Sequence, residues 1–379
     1  MKRFFIVLCI LGLTICYFTG CQNKNGNRAV NTSPRTAVNT NAPNTTNPAN
    51  TTTAATSTAV PAPVSNNLKI KDYFPIQKGV EYIYKGTGNE YASYNMFIDY
   101  IRDTKVQQRV NNGGTETVKV FEIKDGQLTM LFSRSEVYYR EDFLEATGGE
   151  PEVYLKEPLV VGNNWNLKNS RKRTITNIAA DVATPMGSYK AIEVTLDTPE
   201  GKNYEYYAKD IGLIKTVFKS GELVVSSTLD KIEKNVNYKS VIDFYYPVKG
   251  SDKLHYVSKS IDFKTNDLTK NVLEAAYKSI AAQKLGRPLR TDVRINSLYL
   301  NIDKIVYIDL NQAFITEINK QKQYEKLILQ SIVNTFGGYY NTEKVIPTID
   351  NKTYKSANLS MKKGEYLKVN LLGNIKDKE

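Results

Sequence analysis

Residues 116–133 read ETVKVFEIKDGQLTMLFS. Two stretches of strand character, Glu116–Lys124 and Gln127–Ser133, flank Asp125-Gly126. An Asp-Gly pair suits a two-residue turn that needs positive φ, so the stretch predicts a β-hairpin. Outward from it the same grammar repeats. Val80, Tyr82 and Tyr84 alternate with Glu81, Ile83 and Lys85, the period of two of a half-buried strand. Further strands are expected at 94–102, 137–140, 173–178, 189–196, 203–208, 211–219 and 223–232. Turn signals separate them: Gly86-Thr87-Gly88, Asn112-Gly113-Gly114, Pro199-Glu200-Gly201 and Ser220-Gly221. No long amphipathic helix interrupts the series. Residues 68–237 therefore read as an antiparallel β domain, a curved sheet or half-barrel.

Past residue 237 the pattern becomes mixed. Strands are expected at 241–246 and 254–263. A helix capped at Asn266-Asp267 follows, with Leu268, Val272, Ala275, Ala276 and Ile280 on its buried face. Gly286-Arg287-Pro288 ends that unit. Residues 297–302 and 304–310 form a hairpin with Val306, Ile308 and Leu310 facing one side. A second helix spans 320–335, stopped by Gly337-Gly338. A closing strand and turn occupy 344–351, and Pro347 places that strand at an edge or bulge. Residues 361–379 are a lysine-rich strand or tail.

The chain of 379 residues carries a net charge of +12, a balance that suits an anionic partner without choosing one. Its 26 Tyr outnumber 13 Phe and 1 Trp, which favours strands and half-wet surfaces. Cysteines occur only at 9, 16 and 21, so no disulfide framework or thiolate zinc site lies in the folded part. The one histidine, His255, has no motif partners around it. Walker, GxGxxG, HExxH and GxSxG signatures are missing. The reading is a protein without enzymatic activity, cofactor, metal or nucleic-acid partner.

At the start, Lys2 and Arg3 precede an apolar run from Phe4 to Phe18, short for a membrane span and right for a signal peptide, residues 1–20. Phe18-Thr19-Gly20-Cys21 resembles the bacterial lipobox, with Phe18 where Leu is usual. The resemblance implies that Cys21 is the lipidated first residue of the mature protein, bearing palmitate-type chains on the extracytoplasmic face of the cell membrane. Residues 22–67 hold no Asp, Glu, aromatic, Leu or Ile. Such an Asn/Thr/Pro segment cannot bury enough apolar surface to order itself. With Cys21 it reads as a disordered tether (21–67), with an end-to-end distance of roughly 35–40 Å.

Two resemblances bear on the folded part. Tyr73-Phe74-Pro75 with Gly79 to Tyr84, the Pro185-Met186-Gly187-Ser188-Tyr189 hairpin and Tyr206 to Lys215 resemble a group of bacterial lipoprotein β domains with no agreed activity. Ile242-Asp243-Phe244-Tyr245-Tyr246, the run from Leu298 to Phe314, the helix phrase Leu327 to Phe336 and Val345 to Lys352 resemble the GerMN family of sporulation and spore germination proteins. Here Asn334-Thr335-Phe336-Gly337 replaces the family's Thr-Leu-Thr. The resemblance covers 238–360 and implies a small α/β fold related to ring-building motifs, with no assigned catalytic residues. The whole chain thus reads as α+β.

Among individual residues, Asp309 and Asn311 invite a site reading, but capping the turn after a strand explains them better. His255 offers a pH sensor or a half-exposed strand residue. Tyr138-Tyr139, Tyr204-Tyr206-Tyr207, Tyr245-Tyr246 and Tyr339-Tyr340 form a docking face or plain cross-strand pairs. Arg171-Lys172-Arg173 reads as an anion contact or a solvated hairpin end. The expectation is a membrane-anchored envelope lipoprotein mediating protein–protein assembly, through an envelope partner or self-association, in sporulation or germination. The alternative is a module binding peptidoglycan, another wall polymer or lipid through the Tyr-rich β domain.

Overall fold

A computed structural model describes residues 68–248, 250–280 and 288–377. The signal run, Cys21, the tether and Gly286-Arg287 lie outside them. Residues from Leu68 onward make one compact unit.

A single turn of helix, α1 (Ile70–Tyr73), precedes twelve strands: β1 (Val80–Thr87), β2 (Tyr94–Arg102), β3 (Lys105–Asn111), β4 (Glu116–Lys124), β5 (Gln127–Ser135), β6 (Glu152–Lys156), β7 (Asn164–Asn166), β8 (Lys172–Thr184), β9 (Gly187–Thr198), β10 (Gly201–Ala208), β11 (Gly212–Ser220) and β12 (Leu223–Lys234). They form one antiparallel sheet in the order β6-β5-β4-β3-β2-β1-β12-β11-β10-β9-β8-β7. The β4–β5 hairpin turns at Asp125 and Gly126, both at positive φ, as the Asp-Gly pair requires. The two outer strands approach each other. Trp165 Nε1 on β7 donates to the Val153 carbonyl on β6 at 3.0 Å. The sheet is therefore nearly closed, and its exposed edges are largely removed.

Three strands were not legible in the sequence. β3 reads KVQQRVN, yet Gln107 and Arg109 are buried. Both bond Asp99, itself fully buried. β6 and β7 are short and equally poor in alternation. Conversely, residues 137–140 do not form the expected strand. The carbonyls of Val137 and Tyr139 accept from the Arg109 guanidinium instead of from a neighbouring strand.

Beyond Lys234 come β13 (Tyr238–Pro247) and β14 (Leu254–Phe263), an antiparallel pair. α2 (Thr269–Ile280) packs through Thr269, Leu273 and Tyr277. The expected face was out by one residue, for Leu268 is 56% exposed and Ala275 lies outside. Val272, Ala276 and Ile280 flank the true stripe. β15 (Ile295–Leu300) and β16 (Ile305–Leu310) form the expected hairpin, with Val306, Ile308 and Leu310 fully buried. α3 (Ala313–Lys320), a short 3₁₀ turn and α4 (Glu325–Tyr339) follow. α3 had no counterpart in the sequence reading.

α4 starts later than expected and runs through Gly337-Gly338 rather than stopping there. The reason is packing. A Cβ on Gly337 would lie 2.2 Å from Val369 Cγ2, so glycine admits the C-terminal segment to the helix. β17 (Lys344–Ile349) pairs parallel with β16. On its other side, β18 (Lys352–Thr353) covers Thr348-Ile349 and β19 (Leu367–Lys368) covers Lys344-Val345. The break between them falls at Ile346-Pro347, where the proline has no N–H to give. β20 (Ile375–Lys376) adds to β14.

Candidate interaction face

The β15–β17 sheet has one face against the helices and one face toward solvent. The hairpin turn holds itself: Asn301 Oδ1 accepts from Ile305 N–H at 2.8 Å, and Lys304 sits at positive φ. From that register, residues 299, 307 and 346 stand side by side on the outer face. Tyr366, one residue before β19, continues the row opposite Ile346. The Tyr299 and Tyr307 rings are parallel within 4°, their centroids 5.3 Å apart. Tyr299 is 43% exposed and Tyr366 37%. Lys344 Nζ lies 5.0 Å from the Tyr366 ring. An aromatic row of this kind offers contact area and hydroxyls at low entropic cost.

The open edge of the same sheet is less available. Ile295 N–H donates to Glu274 at 2.7 Å, and Lys270 Nζ donates to the carbonyls of Ile295 and Asn296. β15 is thus capped at its Ile295–Asn296 end against strand addition, which favours the flat face for association. The same Lys270 and Glu274, with Arg294, line an open cleft of about 470 Å³, but their charges are engaged with backbone and with one another.

Asp309 is buried and its carboxylate is fully used. Oδ1 accepts from Thr348 Oγ1 at 2.6 Å and Asn351 N–H at 2.8 Å, and Oδ2 from Asn296 at 2.9 Å. Asp350 and Asn351 are both at positive φ, so Asp309 braces a strained turn. Asn311 likewise caps Arg294 N–H. His255 Nδ1 lies 2.9 Å from Asp377, which also bonds Tyr246, and this fastens the C-terminal strand to β14.

The tyrosines singled out in the sequence are mostly interior. Tyr139, Tyr207, Tyr245, Tyr246 and Tyr340 are buried. The row at 299, 307 and 366, exposed at Tyr299 and Tyr366 and half-buried at Tyr307, was not singled out. Its signal lay in the alternation of Tyr299 and Tyr307 against the buried Val306, Ile308 and Leu310. Arg173 is neither an anion contact nor solvated. It is buried inside the sheet, 2.6 Å from Glu205 and 2.9 Å from Glu152. Among the described residues, no group of three or more His, Cys, Asp or Glu could hold a metal ion. No helix among them is long and apolar enough to cross a membrane.

Residues 243–355 match the family model described as sporulation and spore germination. No curated protein matches the chain. Three solved structures share local likeness. A candidate exported protein with a YmcC-like fold from Bacteroides fragilis is 18% identical at TM-score 0.28, over 43% of this chain and 99% of that one. A candidate lipoprotein from Parabacteroides distasonis is 14% identical at TM-score 0.25, over 42% and 98%. A candidate lipoprotein from Clostridium perfringens is 20% identical at TM-score 0.21, over 32% and 80%. At these scores the three carry no argument about function.

Proposed function

We propose that this chain is a non-enzymatic lipoprotein, acylated at Cys21 and held on the extracytoplasmic face of the cell membrane. Its C-terminal half engages a protein partner in envelope assembly during sporulation or germination. The observation that carries the reading is the family match over 243–355. The row of exposed Tyr299, half-buried Tyr307 and exposed Tyr366, with Ile346 buried beside Tyr366, supplies a surface of the composition that protein interfaces favour. The capping of β15 at its Ile295–Asn296 end favours that face over strand addition. Glycan binding through the first sheet is less supported, because Tyr82, Tyr84, Tyr94, Tyr154 and Tyr207 are buried.

The test is genetic. The gene is deleted in its host and complemented with wild type, Cys21→Ala, or Tyr299→Ser with Tyr307→Ser. Loss of spore formation or germination in the deletion, restored by wild type and not by the tyrosine double variant, is expected. Normal spores in the deletion strain would overturn the reading. Labelled palmitate should attach to wild type and not to Cys21→Ala.

A further inference from the structure

The end of the β15–β17 sheet, beside the tyrosine row, presents an unusual group of side chains. Ile302, at the tip of the β15–β16 hairpin, is 95% exposed, Leu372 is 88% exposed and Leu371 48%. These residues share one end of the sheet. Ile305, Lys344 and Lys368 are in register across β16, β17 and β19. The chain before Ile305 and after Lys368 therefore projects the same way. Two backbone contacts close that end: Thr342 Oγ1 donates to the Lys304 carbonyl, and Val369 N–H donates to the Glu343 carbonyl at 2.9 Å. By strand spacing the two tips are about 10–15 Å apart.

The leucine tip is held, not loose. Asn334 on α4 is fully buried, and its amide grips Asn370 from both sides. Its Oδ1 accepts from Asn370 N–H at 2.9 Å, and its Nδ2 donates to the Asn370 carbonyl at 2.5 Å. Gln330 on the same helix donates to the Lys368 carbonyl at 2.9 Å. Leu372 N–H donates to Asn370 Oδ1, and Gly373 turns the chain at positive φ. A buried clamp thus positions two leucines away from any core. Exposed aliphatic side chains grouped at one end of a sheet mark a surface suited to an apolar contact.

Behind the tips lie Lys304, Lys344 and Lys368. None of the three meets a carboxylate within ion-pair distance among the described residues, whereas many other surface lysines do. Asp303 and Glu343 share the end, so the local excess of positive charge is small and the tips, not the charge, must supply specificity. Of the formal net charge of +12, Lys2 and Arg3 of the signal run carry +2, and the +10 left on residues 22–379 supplies long-range attraction to any anionic surface. Behind the lysines stand Tyr299, Tyr307 and Tyr366. The order from the tip is aliphatic, lysine, tyrosine. A bilayer interface has a place for each: aliphatic side chains at the headgroup–acyl boundary, lysines and tyrosines among the headgroups. A second copy of the chain would bring like charge to like charge.

We propose that this end of the sheet docks on the surface of an anionic phospholipid bilayer, with Ile302, Leu371 and Leu372 entering the headgroup–acyl boundary. The contact adds a second, weaker membrane attachment to the acyl chains and fixes how the head stands on the membrane. It does not depend on the partner-binding reading, since the exposed tips Ile302, Leu371 and Leu372 carry it.

The test uses residues 22–379, which lack the apolar run and Cys21 and keep the whole compact unit from Leu68. Cosedimentation is measured with vesicles of phosphatidylglycerol and phosphatidylcholine, and with phosphatidylcholine alone. Wild type should bind the anionic vesicles and bind the neutral ones weakly. Leu371→Ser with Leu372→Ser should lower the partition roughly tenfold, and Ile302→Ser several-fold. Val241→Ser, at an exposed position on a different sheet, should bind as wild type. Failure to bind anionic vesicles, or tip variants that bind like wild type, overturns the proposal. Because the assayed chain is unacylated, that failure leaves palmitate labelling and the spore phenotype to be judged separately.

Discussion

Glu141 sits between the loop that follows β5 and the end of β15. Burial pushes its carboxyl up to about 7, against the pull of the Leu300 N–H and the Arg134 charge. In the unfolded chain the group titrates near 4.5. Between those values the folded protein holds a proton that the unfolded chain has released. Stability is therefore fullest below about pH 4.5 and falls as pH rises through about 7. Urea unfolding at pH 5 and pH 8 should show part of this fall in wild type and lose that part in Glu141→Gln. Equal slopes for the two proteins would refute the assignment. No local pattern marks Glu141, since the Leu300 N–H that acts on it lies more than 150 residues away in the sequence. Asn334 is a partial exception. It was visible as a departure from the family's helix phrase, although the clamp on Asn370 that it provides was not.

At the level of elements, the first sheet is closed by ionic bonds across its gap. Arg173 on β8 reaches Glu152 on β6 and Glu205 on β10, with Tyr207 donating to the same Glu205 oxygen at 2.8 Å. Its guanidinium lies 4.2 Å from the Tyr154 ring centroid. Removing one partner of a buried pair leaves the other charge without compensation. Arg173→Met should therefore cost about 3–5 kcal/mol in urea unfolding, and adding Glu205→Gln should recover part of it. A loss below about 1 kcal/mol, the range of exposed pairs, would show that the cluster is not desolvated. The sequence displayed Arg171-Lys172-Arg173 as a basic run and could not show that period-two alternation turns Arg173 inward. β3 was missed for a related reason: both its faces are buried, Val106 and Val110 on one and Gln107 and Arg109 on the other, and the burial of the polar pair is licensed by Asp99 on the next strand. Where interior positions are apolar, as in β1, β4 and β16, the strands were legible from alternation and turn chemistry alone. The one-residue error on α2 has a similar origin, because Tyr277 and Thr269, not the small alanines, face the core.

Across the whole molecule, the segment that matches the germination family does not own its core. Val137, Tyr139, Phe143 and Leu144, from the loop between β5 and β6, lie in one apolar cluster with Phe244, Tyr277, Phe314 and Phe336. Arg140, fully buried, donates to the carbonyls of Asp99, Lys264 and Asp267 and stacks 4.1 Å from the Tyr100 ring centroid. Its own N–H donates to Tyr339 Oη at 2.8 Å. Gly79 N–H and the Ile98 carbonyl both bond Thr265. Cutting the chain near residue 237 would expose these apolar side chains and strand the carbonyls that Arg140 satisfies. A fragment of residues 238–379 contains all of the family match, yet it should lack a cooperative thermal transition and near-ultraviolet circular dichroism. Residues 68–379 should instead unfold in one calorimetric transition whose van't Hoff and calorimetric enthalpies agree. Two resolved transitions, or a fragment that folds alone, would show that the shared cluster is dispensable. In the single-unit case a load applied at the tyrosine row or at the sheet end reaches the first sheet without a hinge at residue 237, so a partner docked on one half is held at a fixed orientation to the other.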